Sequence, residues 1–145
     1  MKFTESIIFK ELGKYDLIEL ETIGNFYFFD YFVVAEINEG AEFIFEKSRK
    51  LFDLAFEKYK GLPIGYISNR TNSYTSHPSD YVKVNNYLPS LIVFAAVTYN
   101  KASKNFTDLE RKFCKKRFEN FSKIENAIDW VTEIVKKERL KNNLN

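Results

Sequence analysis

Apolar residues along this chain switch between a two-residue and a helical period, and the switches divide it into alternating strand and helix segments. Residues 6–21 and 26–37 read as two strands separated by a turn, the first broken near Gly13. Gly24-Asn25 supplies that turn, because both residues tolerate the positive φ of tight turns. The run from Phe26 to Ile37 is apolar on both faces, as in a central strand covered by helices. Its length predicts a bend or bulge around Asp30. Asn38-Glu39-Gly40 then turns the chain into a helix over about 41–60. Ile44, Leu51, Ala55 and Tyr59 recur at helical spacing there, Phe52 and Phe56 widen the stripe, and Gly61 and Pro63 stop it.

A second buried strand is predicted at 64–69, then a polar loop, a short helix over about 78–87 and a strand at 91–99. Thr107-Asp-Leu-Glu110 and Ser122-Lys-Ile-Glu125 have capping-box spacing. They predict helices from 107 to about 116 and from 122 to about 140, with a brief edge strand at 118–121 between them. Ala127, Ile128, Val131, Ile134 and Val135 form the stripe of the last helix, and Trp130 borders it as a core anchor. The order predicts one α/β domain over 1–145: a single mixed, mainly parallel sheet of about five strands flanked by about four helices.

Composition narrows the chemistry. With 15 Phe, 9 Tyr and a single Met, the core is built on aromatics, and the chain is a folded one. One cysteine, Cys114, excludes an intrachain disulfide and a multi-Cys metal site, and one histidine excludes a His-rich one. No metal and no cofactor are expected. No run suits a signal peptide or a membrane span, so the expected location is the cytoplasm. Charge is uneven: residues 1–99 hold 10 Lys+Arg against 13 Asp+Glu, and residues 100–145 hold 12 against 7. The excess concentrates between Lys101 and Arg117. It reads as a solvated helix face with cations near a helix C-terminus rather than a nucleic-acid surface, since no nucleic-acid motif accompanies it.

The polar loop over 69–80 leaves the carboxyl end of a central strand and enters a helix, the place where open α/β sheets bind ligands and partners. Asn69, Arg70 and Asn72 suit a clamp for an anion, Arg70 offering a two-pronged donor; Arg70 equally suits a brace to Asp80. Tyr74 fits either a partner anchor or a lid folded onto the core. His77 has Asp80 three residues on but no nucleophile or second acid–base group, so no catalytic residue is assigned and no enzyme is expected. Ser76 or His77 fits the cap of the following helix, with Pro78 in its first turn. Asp30, Glu36 and Glu39 lie on or after the long strand, and Glu36, within an apolar run, either points outward near a strand end or needs a buried partner. Cys114 lies among Arg111, Lys112, Lys115 and Lys116, which favour the thiolate if it is exposed; beside Phe113 it equally fits a buried position.

Three stretches resemble a known family: Phe32-Val-Val-Ala-Glu-Ile-Asn-Glu-Gly40, Gly65-Tyr-Ile-Ser-Asn-Arg-Thr-Asn-Ser-Tyr-Thr-Ser-His-Pro78 and Phe118-Glu-Asn-Phe-Ser-Lys-Ile-Glu-Asn-Ala-Ile-Asp-Trp-Val131. With the order of elements, they make the chain similar to STAS/SpoIIAA-like domains, and in sequence more similar to the uncharacterised bacterial SpoIIAA-like proteins, which also resemble the CRAL-TRIO lipid-transfer fold. The resemblance implies a regulatory, protein-binding module. In the antagonists of that family a serine in an Asp-Ser-type loop is phosphorylated. Here the loop lacks Asp-Ser-Ser-Gly and offers Ser73, Ser76 and Ser79, with Asp80 after the last. The reading is a non-enzymatic cytoplasmic module that docks a protein partner through the 69–80 loop, phosphorylation being an optional switch. The alternative is a nucleotide or lipid binder with an aromatic-rich pocket. An edge strand in the first hairpin leaves a homodimer open.

Overall fold

Two sheet faces, each paved with aromatics, organise the computed structural model, which describes residues 1–142. The described residues form β1 (Asp16–Leu20), β2 (Gly24–Phe28), β3 (Phe32–Ile37), β4 (Glu42–Phe43), α1 (Arg49–Tyr59), β5 (Ile64–Arg70), β6 (Thr75–Ser76), α2 (Asp80–Tyr87), β7 (Leu91–Thr98), α3 (Lys101–Arg111), β8 (Arg117–Phe121) and α4 (Ile124–Lys141). The main sheet has six strands in the order β1-β2-β3-β5-β7-β8. β1, β2 and β3 pair antiparallel to one another in turn, and β3, β5, β7 and β8 pair parallel. This is the mixed, mainly parallel α/β architecture that the order of elements predicts. β4 and β6 form a separate two-stranded parallel ladder.

Side chains alternate across each strand, so one face of β5 carries Tyr66, Ser68 and Arg70 and the other carries Gly65, Ile67 and Asn69. The first face gathers Phe28, Val33, Phe94 and Ala96 under Leu51, Phe52, Ala55 and Tyr59 of α1 and Val84 of α2. The second gathers Val34, Ile67, Val93, Ala95 and Val97 under Ala127, Ile128, Val131 and Val135 of α4. Gly65 lets α4 approach closely: a Cβ there would lie 2.1 Å from Cγ1 of Val131. The rest of the second face is closed by the N-terminal segment, whose Phe3 packs edge-on to Phe9, Tyr27 and Phe29.

The boundaries depart from the sequence reading in several places. The predicted strand over 6–21 is a strand only at Asp16–Leu20; before it come 3₁₀ turns at Phe3–Glu5 and Phe9–Glu11, which serve as cover rather than as sheet. The run over 26–37 does not bend at Asp30 but reverses there, with the Phe29 N–H donating to the Phe32 carbonyl at 2.9 Å. It therefore supplies two strands, which makes six rather than five. Both look apolar throughout because β2 and β3 are inner strands covered on both faces. Gly24 and Asn25 lie inside β2, and Gly24 is needed for close packing: a Cβ would sit 2.3 Å from the Glu36 carbonyl oxygen. The turn is Glu21–Ile23 instead, closed by the Ile23 N–H on Leu20 at 2.8 Å.

Neither capping box forms. Asn100 starts α3 earlier, its side chain accepting from the Ser103 N–H at 2.8 Å, and Thr107 lies buried within the helix, donating back to Lys104 at 2.6 Å. α4 begins after Lys123 with no side-chain cap. The predicted helix over 41–60 begins only at Arg49, because β4 pairs with β6 and the Phe45 N–H donates to Asp80 at 2.8 Å. Its stripe holds for Leu51, Phe52, Ala55 and Tyr59, whereas Phe56 is exposed.

Candidate functional site

The loop that follows β5 is built from the strand's own alternation. β5 ends with Asn69 on one face and Arg70 on the other, so the two do not form a clamp. Asn69 is buried toward the N-terminal segment. Its Nδ2 donates to the Met1 carbonyl at 3.0 Å and to Glu36 Oε2 at 2.8 Å, and its Oδ1 accepts from the Tyr99 hydroxyl at 2.6 Å. Glu36 also accepts the Phe3 N–H at 2.7 Å, so it has buried partners rather than pointing into solvent. Burial and the nearby Glu36 push the Tyr99 hydroxyl up to about 12.

Arg70 faces the other way and is committed elsewhere. Its guanidinium holds both carboxylate oxygens of Glu110, a forked pairing in which Nη2 lies 3.1 Å from Oε2, and Nε donates to Ser68 Oγ at 3.1 Å. The Tyr81 hydroxyl donates to the same carboxylate at 2.9 Å. Tyr74 lies with its ring facing the guanidinium, 6.0 Å from centroid to carbon, and its hydroxyl is 3.3 Å from Ser68 Oγ. Burial opposes the Arg70 charge, but Tyr74 and Glu110 raise its pKa, and it stays a cation. Arg70 thus braces the loop through Glu110 of α3, not through Asp80. Asp80 caps the chain at Phe45 and lies 3.7 Å from Lys83.

Tyr74 turns inward and the rest of the loop turns out. Asn72, Ser73, Thr75, His77 and Ser79 are exposed, while Ser76 and Tyr74 are half-buried. The backbone is tied down at each step. The Gly40 N–H donates to Ser73 at 2.7 Å, the Thr75 N–H to Ala41 at 2.8 Å, the Ser73 N–H to Glu39 at 3.0 Å, and Asn72 Nδ2 to the Ile37 carbonyl at 2.9 Å. Ser79, rather than Ser76 or His77, stands at the N-cap of α2.

Beneath this loop lies a cavity of about 60 Å³. Phe43, Phe45, Phe52, Phe94, Tyr66 and Tyr81 supply its aromatic wall; Ser48, Ser68, Tyr74, Ser76, His77, Asp80 and the Arg70–Glu110 pair are its other polar residues. Burial raises the hydroxyls of Tyr66 and Tyr81 well above the usual tyrosine range, so both remain protonated. Sequence reasoning missed Glu110, Ser48, Tyr66 and Tyr81. The available signal was on α3, where Thr107 and Glu110 lie three residues apart on one buried face, separate from the stripe of Ala102, Phe106 and Leu109. Cys114 is partly buried against the core, and burial pushes its thiol up, which removes the reactive-thiolate reading.

The basic segment from Lys101 to Arg117 spreads over α3 and the turn after it. Arg111 lies near Asp108 and Glu119, and Arg117 lies over the Trp130 ring. Among the described residues no helix is long and apolar enough to cross a membrane, and no cluster of His, Cys, Asp and Glu has the makings of a metal site.

Comparison with protein-family models and with curated proteins finds no match. Among solved structures, an uncharacterised protein from Shewanella loihica PV-4 superposes with a TM-score of 0.53. It belongs to the DUF3478 family, has a SpoIIAA-like fold, and is 13% identical over 81% of this chain and 92% of its own. This chain has the SpoIIAA-like fold. In it the 71–79 loop occupies the carboxyl edge of the parallel strands, above the Arg70–Glu110 pair. Of the three loop serines, Ser73 and Ser79 are exposed and Ser76 is half-buried in β6.

Proposed function

We propose that this SpoIIAA-like domain is a non-enzymatic interaction module whose working surface is the 71–79 loop and the start of α2. The observation that carries the reading is that the loop is both exposed and already fixed. Hydrogen bonds from 37–41 and the β4–β6 ladder hold its backbone, and Arg70, Glu110 and Tyr74 support it from below. A surface held in place before binding loses little conformational entropy when a partner docks. The outward residues, Asn72, Ser73, Thr75, His77 and Ser79, are polar, suiting a partner that offers hydrogen bonds rather than opposite charge. Arg70 and Tyr74 act as supports of this surface, not as its contacts.

Ser79 is the serine best placed for a phosphate switch, being exposed at the N-cap of α2, where the helix dipole favours an anion. Ser73 sits beside the Glu39 carboxylate, which would repel a phosphate.

Affinity capture from the source organism's lysate tests the reading. The wild type is compared with a Thr75→Ala/His77→Ala variant and with a Glu133→Ala/Lys137→Ala control on the exposed face of α4. A protein retained by the wild type and the control but lost by the loop variant is the expected result. Identical capture by all three would defeat the reading.

A further inference from the structure

Two groups in the cavity wall are left unused by the fold. Ser48 is 1% exposed and Tyr66 9%, both line the cavity, and neither hydroxyl makes a hydrogen bond within the protein. Ser48 stands at the N-cap of α1, where a serine ordinarily accepts a first-turn N–H, yet its side chain takes no such bond. Buried polar groups are nearly always partnered, so two unpartnered hydroxyls in one cavity call for an explanation. The other polar side chains of the deep wall are already satisfied: Arg70, Glu110 and Tyr81 by one another, and Ser68 by Arg70 and Tyr74.

We propose that the cavity is a binding site for a small uncharged aromatic molecule bearing one or two hydroxyl or carbonyl groups, received by Tyr66 and Ser48. Charge is excluded by the wall itself. Arg70 and Glu110 neutralise each other in a forked pair, and Asp80 is taken by the Phe45 N–H and lies near Lys83, so an ionic ligand would shed its hydration without gaining a free counter-charge. The aromatic lining suits a flat ring, edge-on or offset. Size sets the upper limit. About 60 Å³ open to water centres corresponds to roughly four to six waters, or about 120–180 Å³ of liquid. A single substituted ring fits that space; a nucleotide or a long acyl chain does not. The site stands independently of what docks on the loop above it.

Phenol and phenyl phosphate serve as the neutral and charged probes, titrated into the full chain while methyl resonances are followed by NMR. Saturable phenol shifts are expected at Val84 and Leu91 in the cavity wall and not at Val135 on the opposite face, with none from phenyl phosphate. Tyr66→Phe and Ser48→Ala are each expected to weaken phenol roughly threefold to tenfold, the worth of one neutral hydrogen bond. Each should also leave Tm unchanged or raised, because the hydroxyl removed has no partner in the fold. No saturable binding, equal binding of phenyl phosphate, or affinities untouched by both substitutions would each overturn the site. A fall in Tm in both variants would do so as well, by showing that the fold uses the hydroxyls.

Discussion

The two faces of the sheet are covered by different means. Under α4 the packing is apolar and close, with Val131 set against Gly65 and small or branched residues on every strand it crosses. Under α1 and α2 the other face of the same strands carries Arg70, paired with Glu110 of α3, the hydroxyls of Tyr66 and Ser68, and a cavity. The difference comes from β5, whose alternate residues are Gly65, Ile67 and Asn69 on one side and Tyr66, Ser68 and Arg70 on the other. One face fixes the strands in place, and that rigidity lets the other hold an irregular polar site that packing alone would not stabilise.

The largest effect is expected from removing the polar centre by halves. Glu110→Ala leaves Arg70 buried with its charge uncompensated and the Tyr81 hydroxyl without an acceptor, at a cost of about 3–5 kcal/mol in urea unfolding. Arg70→Met combined with Glu110→Leu should recover most of that loss, since no charge is then left buried alone. A double variant as unstable as Glu110→Ala would show that the face depends on the ion pair itself.

On the opposite face, Gly65→Ala drives a methyl group into Val131 and should cost about 1–3 kcal/mol by overpacking. Adding Val131→Ala opens the same space, so the two substitutions should be less harmful together than their sum. Additive losses in the double-mutant cycle would place the strain elsewhere.

A third effect is a pH dependence in alkali. Tyr66 and Tyr81 have pKa values raised by burial above the tyrosine value of 10.0, and Tyr99 is raised to about 12. In the unfolded chain these groups ionise near 10.0, while the folded chain holds them neutral. Their contribution is therefore complete below pH 10 and declines as the pH rises beyond it, through about 12 for Tyr99. Denaturant midpoints measured with tyrosinate absorbance should stay level up to pH 10 and then fall. A level profile through pH 12 would contradict the burial of these hydroxyls.

How far this was legible in the sequence differs between the same two faces. β5, β7 and the α4 stripe were readable because continuous apolar runs and a helical period report burial directly. The reversal at Phe29–Tyr31 was only half legible, since Asp30 is its one polar mark and suggested a bend in one strand rather than a hairpin between two. The partner of Arg70 was hidden for another reason. Glu110 lies off the apolar stripe of its helix (Ala102, Phe106 and Leu109), and its capping-box spacing suggested a surface role that Asn100 had already taken. The separation of Asn69 from Arg70 could have been read, because period-two alternation puts neighbouring strand residues on opposite faces. Tyr66 and Ser48 carried no signal, for an unpartnered hydroxyl is a property of three-dimensional packing alone.

Arg139, near the end of α4, donates to the carbonyls of Pro63 at 2.9 Å and Asp30 at 2.8 Å and stacks over Tyr31 with 4.7 Å to the ring centroid. One side chain thus ties the last helix to a hairpin laid down more than a hundred residues earlier. During synthesis every strand of the main sheet leaves the ribosome before the helix that covers β5 and β7 on this face. The nascent domain therefore exposes a broad apolar surface until translation passes Arg139, and its need for protection in the cell is greatest in that interval.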